Sequence, residues 1–246
     1  MLECRNCGAG APVDEHFCRN CSRILALGRH GDYFSFFGVP RRLNLDQQEL
    51  ERRFRDLSRK FHPDYYYNAS PSERLASLER SSYLNDAYRA LRNPVSRIEH
   101  LLAIEGLPPA KSDGATGAGH DTPQPPAALL EEVFALNEEL DEIRELRESG
   151  ADGDVLRMRL ESARQPIEAK REEHEEQLRL LSEQWDALPP EASPEQKKRT
   201  LEALRERVLE RNYINNLLAG IDREVAGLAS VAGSDAPGAK AEAPRP

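Results

Sequence analysis

The sequence predicts an all-α protein with three parts: a small metal-binding module at the N-terminus, a helical hairpin, and a C-terminal antiparallel three-helix bundle. Three observations support this fold class. All four cysteines lie within the first 21 residues, apolar residues then recur at spacings of three and four, and 6% of the residues are aromatic while 31% are charged. A composition with few aromatic and many charged side chains favours helical architectures over large β-sandwiches.

Length and charge limit the classes of function. A chain of 246 residues can form one large or two modest domains. The formal net charge of -9 argues against nucleic acid as the main partner, because phosphate binding needs a clustered positive face. No segment has the roughly 20 apolar residues that cross a bilayer, and the first residues resemble neither a signal peptide nor a transit peptide. We therefore expect a cytoplasmic protein without a membrane partner.

Residues 1–27 contain two CxxC pairs, Cys4 with Cys7 and Cys18 with Cys21. Each pair presents two thiolates at the spacing that tetrahedral Zn²⁺ requires. The segment is too short to bury a core, so a bound metal would supply most of its folding free energy. We predict one structural zinc ion, with a redox dithiol or an iron–sulfur site as the alternatives. Four cysteine ligands leave no open position for a catalytic zinc.

The first half of the predicted hairpin lies after Gly31. The stretch DYFSFFGVP forms a short helix that ends in a turn. Asp46 and Glu49 then have the spacing of a capping box, in which each side chain satisfies a free amide at a helix start. The helix runs from about residue 46 to 61, and its apolar stripe consists of Leu50, Phe54, Leu57 and Phe61.

The second long helix is predicted to begin at Ser70-Pro71 and to end at Asn93-Pro94. A shorter helix follows and runs to about Gly106. The residues predicted to face inward on the second long helix are Leu75, Leu78, Leu84, Ala87, Tyr88 and Leu91. Residues 32–104 thus form two long antiparallel helices with a loop at their tip.

Residues 105–128 are rich in Pro, Gly and Ala and are predicted to be a flexible linker. Residues 129–230 contain three apolar segments separated by turn residues, which indicates a bundle and not one continuous coiled coil. Pro166 is expected to kink the second helix of the bundle or to lie near a break in it. The composition of residues 231–246 predicts a disordered tail.

The loop at the tip of the hairpin has the sequence His62-Pro63-Asp64, called the HPD loop below. A histidine and an aspartate two residues apart could act as a general base and its orienting group, yet such chemistry needs a pocket and a nucleophile or metal within reach. The loop could also simply end a helix, because the residue before a proline leaves the α region. A third interpretation is a presented binding surface, since the helix before it is basic and the helix after it is capped.

The combination of motifs resembles a known family. Residues 32 to about 92 resemble a J-domain, whose hallmark is HPD between two antiparallel helices with a basic second helix. The stretches DYFSFFGVPRRLNLDQQELERRFRDLSRKFHPD, LNDAYRALRNPVSRIEHLL and NEELDEI are together similar to HscB, the J-type co-chaperone of iron–sulfur cluster assembly. The resemblance extends from Asp32 to about Leu228.

This resemblance implies a non-enzymatic function. The HPD loop would contact a DnaK/HscA-type ATPase chaperone and accelerate its ATP hydrolysis, with Asp64 pairing with an arginine of that partner. The basic helix would meet an acidic surface of the chaperone and steer the encounter. The residues implied in this contact are His62, Pro63, Asp64, Arg52, Arg53, Arg55, Arg59 and Lys60.

The resemblance also implies that the bundle binds an IscU-type iron–sulfur scaffold protein. The matching positions are Leu130, Glu131, Phe134, Ala135, Glu138, Glu142 and Tyr213. Glu131 and Ala135 depart from the family pattern, which is apolar at the first position and acidic at the second. From spacing alone, Leu130 and Phe134 could form an exposed patch with an acidic border or belong to the core of the bundle.

Three other functions remain open at this stage. The protein could recruit the chaperone to a different client through its bundle or its cysteine module. It could be a zinc-ribbon protein of nucleic-acid transactions, or a hydrolase that uses His62 and Asp64. A client-binding assay, salt-sensitive nucleic-acid binding and turnover by the isolated protein respectively distinguish these alternatives.

Overall fold

The structure is a computed structural model that describes residues 1–28, 31–107 and 127–232. Its elements confirm the all-α prediction, because the two short strands are the only sheet in these ranges. In chain order they are β1 (Leu2–Glu3), β2 (Gly10–Ala11), α1 (Tyr33–Phe37), α2 (Gln47–Phe61), a 3-10 turn (Pro63–Tyr66), α3 (Pro71–Arg92), α4 (Pro94–Ile104), a 3-10 turn (Ala127–Leu129), α5 (Leu130–Glu148), α6 (Gly153–Asp186) and α7 (Pro194–Ala232). None of the helices in the described ranges is long and apolar enough to span a membrane.

The chain divides into two compact units. The first comprises Met1–Ala110 and Arg179–Val208, and the second comprises Lys111–Leu178 and Leu209–Pro246. The predicted linker falls almost wholly outside the described residues, as does the predicted disordered tail.

Both helices of the α2–α3 hairpin have side-chain caps at their N-termini. The Asp46 carboxylate accepts hydrogen bonds from the backbone N–H groups of Gln48 and Glu49. The predicted reciprocal bond from Glu49 is not among those of the described residues, because its carboxylate instead accepts from two arginines of α2. At α3 the full capping box forms between Ser70 and Glu73, with Pro71 at the first helical position, as predicted.

The buried face of α3 differs from the prediction in its N-terminal half. Leu84, Ala87 and Leu91 are buried as expected, whereas Leu75 and Leu78 are 50% and 56% exposed. Their prediction as core residues was wrong, because the inward positions there are occupied by polar side chains that find hydrogen-bond partners. The buried polar residues of this half are Glu73, Ser77 and Arg80.

A buried arginine holds the C-terminal end of the hairpin. The Arg97 guanidinium is 3% exposed and donates to the carbonyl oxygens of Leu43, Leu91 (2.6 Å) and Arg92 (3.4 Å). Burial lowers the pKa of Arg97, and the negative charge of Asp186 opposes that shift. Asp186 itself accepts from the backbone N–H of Leu43 at 2.7 Å, so the loop before α2 is fixed from two sides.

The second unit has one apolar core shared by α5, α6 and α7. Its buried residues are Leu129, Val133, Leu136, Leu140, Ile143, Leu156, Leu160, Ile167, Ile214, Leu218 and Ile221. Lys170 pairs with Glu132 and Arg159 with Glu139, so α6 runs antiparallel to α5. The three-helix bundle predicted from the apolar spacing is therefore present.

Helix α6 begins earlier than its predicted apolar segment. It starts at Gly153, so Leu156 and Leu160 contribute to the core ahead of Ile167. Pro166 lies inside the helix, which continues on both sides of it. Of the two predicted alternatives, a kink or a break, the break is therefore absent at this position, and the helix proceeds without the backbone N–H that proline lacks.

Candidate functional site

The HPD loop follows directly from the end of α2. His62 is the C-cap of α2 with φ -58° and ψ 125°, and Pro63 opens the 3-10 turn that continues to Tyr66. The backbone N–H of Asp64 donates to Nδ1 of His62 at 3.3 Å. Proline fixes φ near the value that a helix start needs, so Pro63 sets the bend while His62 caps the turn.

The two polar side chains of the loop face solvent. The side chains of His62 and Asp64 are 51% and 87% exposed, and His62 Nδ1 lies 3.5 Å from Asp64 Oδ2. A solvated carboxylate is not in the water-excluded environment in which acid/base groups act on a bound substrate. The geometry therefore favours a presented binding surface over a catalytic pair.

Three side-chain hydrogen bonds hold the base of the loop. The carbonyl oxygen of Phe61 accepts from the hydroxyls of Ser77 (2.6 Å) and Ser81 (2.9 Å), both on α3. The Tyr66 hydroxyl donates to the carbonyl oxygen of Lys60 at 3.0 Å. These bonds satisfy carbonyl groups at the end of α2 that have no partner within the helix.

Three arginines of α2 form ion pairs with acidic residues of the same helix. Arg52, Arg55 and Arg59 are exposed and form ion pairs along their own helix, with the carboxylates of Glu49, Glu51 and Asp56. Exposed ion pairs of this kind contribute only about 0.3–0.5 kcal/mol each, so a partner's carboxylates can compete for these arginines.

Arg53 has a different environment from the other arginines of α2. Its guanidinium donates to the carbonyl oxygens of Phe37 (3.0 Å) and Gly38 (2.6 Å) at the end of α1. Gly38 caps α1 with φ 63°, which leaves these carbonyls in need of donors. The geometry thus assigns Arg53 to the packing of α1 on α2, while Lys60 is exposed near the loop.

The four cysteines form two knuckles of the same backbone design. In the first, the N–H of Gly8 donates to the carbonyl of Cys4 at 2.8 Å, and in the second the N–H of Ser22 donates to that of Cys18 at 2.8 Å. The residue after each pair has positive φ, 71° at Gly8 and 57° at Ser22. β1 and β2 flank the first knuckle, and an antiparallel bridge between Phe17 and Ile24 flanks the second.

The sulfur atoms converge on one point. All four Sγ atoms lie within 4.8 Å of one another, with Cys4 to Cys21 and Cys7 to Cys18 both at 3.6 Å. Ligands at about 2.3 Å from a tetrahedral zinc are separated by roughly 3.8 Å, so the cluster is of the size that a metal ion requires. Hydrogen bonds from the Asn20 side chain and the Ala9 backbone lower the pKa of Cys7 to about 6, which favours its thiolate, whereas burial and the neighbouring thiols of Cys7 and Cys21 raise the pKa of Cys18 to about 11.

The cysteine module packs on the N-terminal half of α3. The Arg80 side chain, 1% exposed, donates to the carbonyl oxygens of Leu25 (2.8 Å), Ala26 (3.1 Å) and Glu15 (3.1 Å). Arg23 of the module forms a two-pronged ion pair with Glu73, at 3.0 and 3.2 Å. These contacts were not predicted from the sequence. Glu73, Ser77 and Arg80 do recur at helical spacing, but Leu75 and Leu78 fit a helical stripe equally well, so the spacing alone does not identify the inward face.

The predicted scaffold-binding positions lie on the second unit. Phe134 is 69% exposed and Leu130 is 36% exposed, whereas their neighbours Leu129 and Val133 are buried. Glu131, Ala135, Glu138 and Glu142 are also exposed on α5. Leu130 and Phe134 are therefore surface residues and do not form part of the core.

Two of the predicted positions have additional contacts. Glu142 accepts a hydrogen bond from Arg159 at 2.6 Å, so part of the acidic border is neutralised by α6. Tyr213 on α7 is partly buried against the core, and burial raises its pKa. Glu131 and Ala135 line a cavity of about 540 Å³ between α5 and α6.

The described residues thus define an all-α protein that presents an HPD loop between two antiparallel helices, next to a module whose four cysteines are positioned to hold a metal ion, and that also contains a helical bundle. No model of a protein family matches the sequence. The solved structures that share the fold include two HscB proteins. Human co-chaperone protein HscB matches with a TM-score of 0.61 at 24% identity, covering 90% of this chain and 98% of that chain. Chaperone HscB from Vibrio cholerae matches with a TM-score of 0.56 at 25% identity, covering 80% of this chain and 99% of that one. The predicted resemblance to HscB is confirmed by this similarity.

Proposed function

We propose that this chain is a J-type co-chaperone of iron–sulfur cluster assembly that stimulates ATP hydrolysis by a DnaK/HscA-type chaperone. The observation that supports it most directly is the exposed HPD loop, presented at the junction of α2 and α3 in a chain with the fold of HscB. The chain itself binds no nucleotide in this proposal. It biases the chaperone toward the state that hydrolyses ATP.

The residues of the loop and of α2 have different roles in the proposed contact with the chaperone. Asp64 offers an 87% exposed carboxylate that can form a charge-assisted hydrogen bond with an arginine of the chaperone, and such bonds are strong when both groups lose water. His62 and Pro63 hold the backbone in the bent form that presents Asp64. Arg52, Arg55, Arg59 and Lys60 give α2 a basic face that steers it to an acidic surface.

Single-turnover ATP hydrolysis by the chaperone tests this function. We expect His62→Gln and Asp64→Asn to lower the stimulated rate about tenfold or more, because each removes a group of the contact and costs upwards of about 1.4 kcal/mol. Arg89→Gln is the matched control, since Arg89 is an exposed residue of α3 that pairs only within its own helix. Full stimulation by both loop variants would contradict the proposal.

We further propose that the bundle delivers an IscU-type scaffold protein to the chaperone. The exposed Phe134 and Leu130 form an apolar patch on α5, and Glu138 continues the same helix face with a carboxylate. A large aromatic side chain at the centre of such a patch is typical of the residues that dominate binding free energy.

Titration calorimetry with the scaffold protein tests the patch. We expect Phe134→Ala to raise the Kd about tenfold or more, because it removes the largest apolar surface of the patch. Met158→Ala is the matched control, since Met158 is 67% exposed on α6 of the same unit but lies outside the predicted positions. If Phe134→Ala and Met158→Ala bind the scaffold protein with equal affinity, the patch is not the scaffold-binding site. The chain would then be a J-protein that serves a different client.

The metal of the cysteine module is proposed to be one structural zinc ion. Four thiolates at tetrahedral separation suit zinc and leave no open coordination position. When bound, the ion supplies folding free energy to the module and takes part in no reaction step. Cysteines that hold metal as thiolates persist in a reducing compartment, which supports the cytoplasm as the place of action.

A further inference from the structure

We infer that Arg80 is a positioning residue for the HPD loop: it fastens the cysteine module against the α2–α3 junction, and the fastened module holds Phe61, the residue before His62. The inference rests on the proposed function for its consequence, but the coupling itself is a property of this chain. A structural metal would only stabilise the module itself. The inference adds that the order of the HPD loop depends on whether the module is folded and docked.

The hydrogen bonds of Arg80 run to the module. Its guanidinium donates to three carbonyl oxygens there, as described above, and its Nη1 lies 2.7 Å from Nδ1 of His16. The cost of burying Arg80 outweighs the favourable charge of Glu79, so the guanidinium depends on such oriented groups for its stability. Burial lowers the pKa of Arg80 to about 10, which still leaves it charged at neutral pH.

His16 carries the connection onward to α1 and α2. Its Nε2 lies 3.0 Å from the carbonyl oxygen of Phe36, and because Nδ1 accepts from Arg80, Nε2 must carry the proton that donates to this carbonyl. The ring of His16 also packs edge-on against Phe36 at 4.8 Å and Phe61 at 5.0 Å. One neutral histidine therefore bridges Arg80, α1 and the last residue of α2.

Phe61 is enclosed by module residues on one side and by α3 on the other. Its side chain is 0% exposed, Phe17 of the module lies 6.0 Å from its ring, and the Arg80 guanidinium carbon lies 5.7 Å from the ring centroid. Its carbonyl is held by Ser77 and Ser81. Because His62 is the next residue, the position of Phe61 sets where the loop begins.

The far end of the 3-10 turn packs on α3, the helix on which the module docks. Tyr66 ends the 3-10 turn, and its pKa is raised by burial and by the charge of Glu73, which is the residue that pairs with Arg23. The Phe61 end of the turn thus lies against module residues, and the Tyr66 end lies against the helix that carries the anchors of the module. When the module unfolds, Phe61 loses its cover, and we expect the loop to sample more conformations.

Amide hydrogen exchange on the full chain tests the coupling without any partner. We expect removal of the metal from wild type by a chelator to speed exchange in residues 61–67 about tenfold or more, with exchange at Leu156 and Leu160 of the second unit unchanged. Arg80→Gln should do the same while the purified protein still contains its metal. Arg80→Lys should give an intermediate effect, because an ammonium group retains charged donors for the carbonyl cluster.

Two further variants complete the design. Arg23→Gln removes only the surface ion pair with Glu73, so it weakens docking in a variant that is expected to fold, and a smaller increase in exchange should result. Arg89→Gln should leave exchange in the loop at the wild-type rate. Wild-type exchange in residues 61–67 after metal removal, with residues 1–27 fully exchanging, would overturn the inference, and this arm requires no variant.

The chaperone assay separates this inference from the proposed function. We expect Arg80→Gln to raise the concentration of the protein that gives half-maximal ATPase stimulation, with the plateau less affected, because the loop must be ordered on binding. If metal removal speeds exchange in the loop of a wild-type chain that stimulates no chaperone, the coupling between module and loop holds and the proposed function is wrong. If the chain stimulates the chaperone but metal removal leaves exchange in the loop unchanged, the proposed function holds and the coupling is wrong.

Discussion

The Cys4→Ser and Cys18→Ser variants are each expected to lose the metal ion of the N-terminal module and the folded structure of residues 1–27. Each variant removes one ligand from a different knuckle, and the sulfur atoms of both knuckles surround the same point. Structural zinc sites supply about 10–16 kcal/mol of apparent binding free energy to small modules, which far exceeds what the four-residue apolar cluster of this module can provide. Metal content per chain, together with exchange in residues 1–27, measures the effect.

The control for these variants lies within the same knuckle. Ser22→Gly replaces a residue with φ 57° by one that adopts this conformation without strain, so it should retain about one metal ion per chain. The chain has four cysteines, all in this site, so a thiol titration reports on the site alone. Retention of a full equivalent of metal by both serine variants would contradict ligation by four cysteines.

The Arg97→Met variant is expected to lose about 3 kcal/mol or more of the free energy of unfolding of the first unit. The methionine keeps an unbranched side chain over the length of the arginine's aliphatic part but removes every donor to the carbonyls of Leu43, Leu91 and Arg92. Each buried acceptor left without a partner costs about 1–3 kcal/mol. Urea denaturation followed by the fluorescence of Trp185 measures this, because the single tryptophan donates to the Arg41 carbonyl within the same unit.

The matched control for Arg97 is Arg89→Met. Its side chain is 76% exposed and pairs with Asp86 one turn away, so its removal should change the free energy of unfolding by less than about 0.5 kcal/mol. A similar loss in both variants would show that the buried carbonyls find other donors and that the three hydrogen bonds of Arg97 are dispensable.

Local sequence patterns predicted much of the fold. Helix starts at Asp46 and Ser70 were visible because caps and prolines act within a few residues, and the HPD loop followed from Pro63. The two CxxC pairs predicted the convergence of four sulfur atoms, since the bite of each pair is set by the chain between its cysteines. These features depend on short-range geometry, which a single sequence contains.

Contacts between distant segments were not predictable in the same way. Leu75 and Leu78 fit the helical period as well as Ser77 and Arg80 do, so only the docking of the module decides which face of α3 turns inward. Arg53 looked equivalent to its basic neighbours, yet the carbonyls of α1 make it an internal donor. In both cases a partner far along the chain overrides the local pattern.

The polar inward face of α3 also determines whether the cysteine module and the hairpin can be exchanged separately between proteins. Arg80 and Glu73 are suited to an interface with one specific neighbour, and a hairpin that stood alone would gain more from apolar side chains at those positions. The cysteine module is therefore not an interchangeable appendage. Moving it to another hairpin, or moving this hairpin to another protein, would require the residues on both sides of the interface to change together.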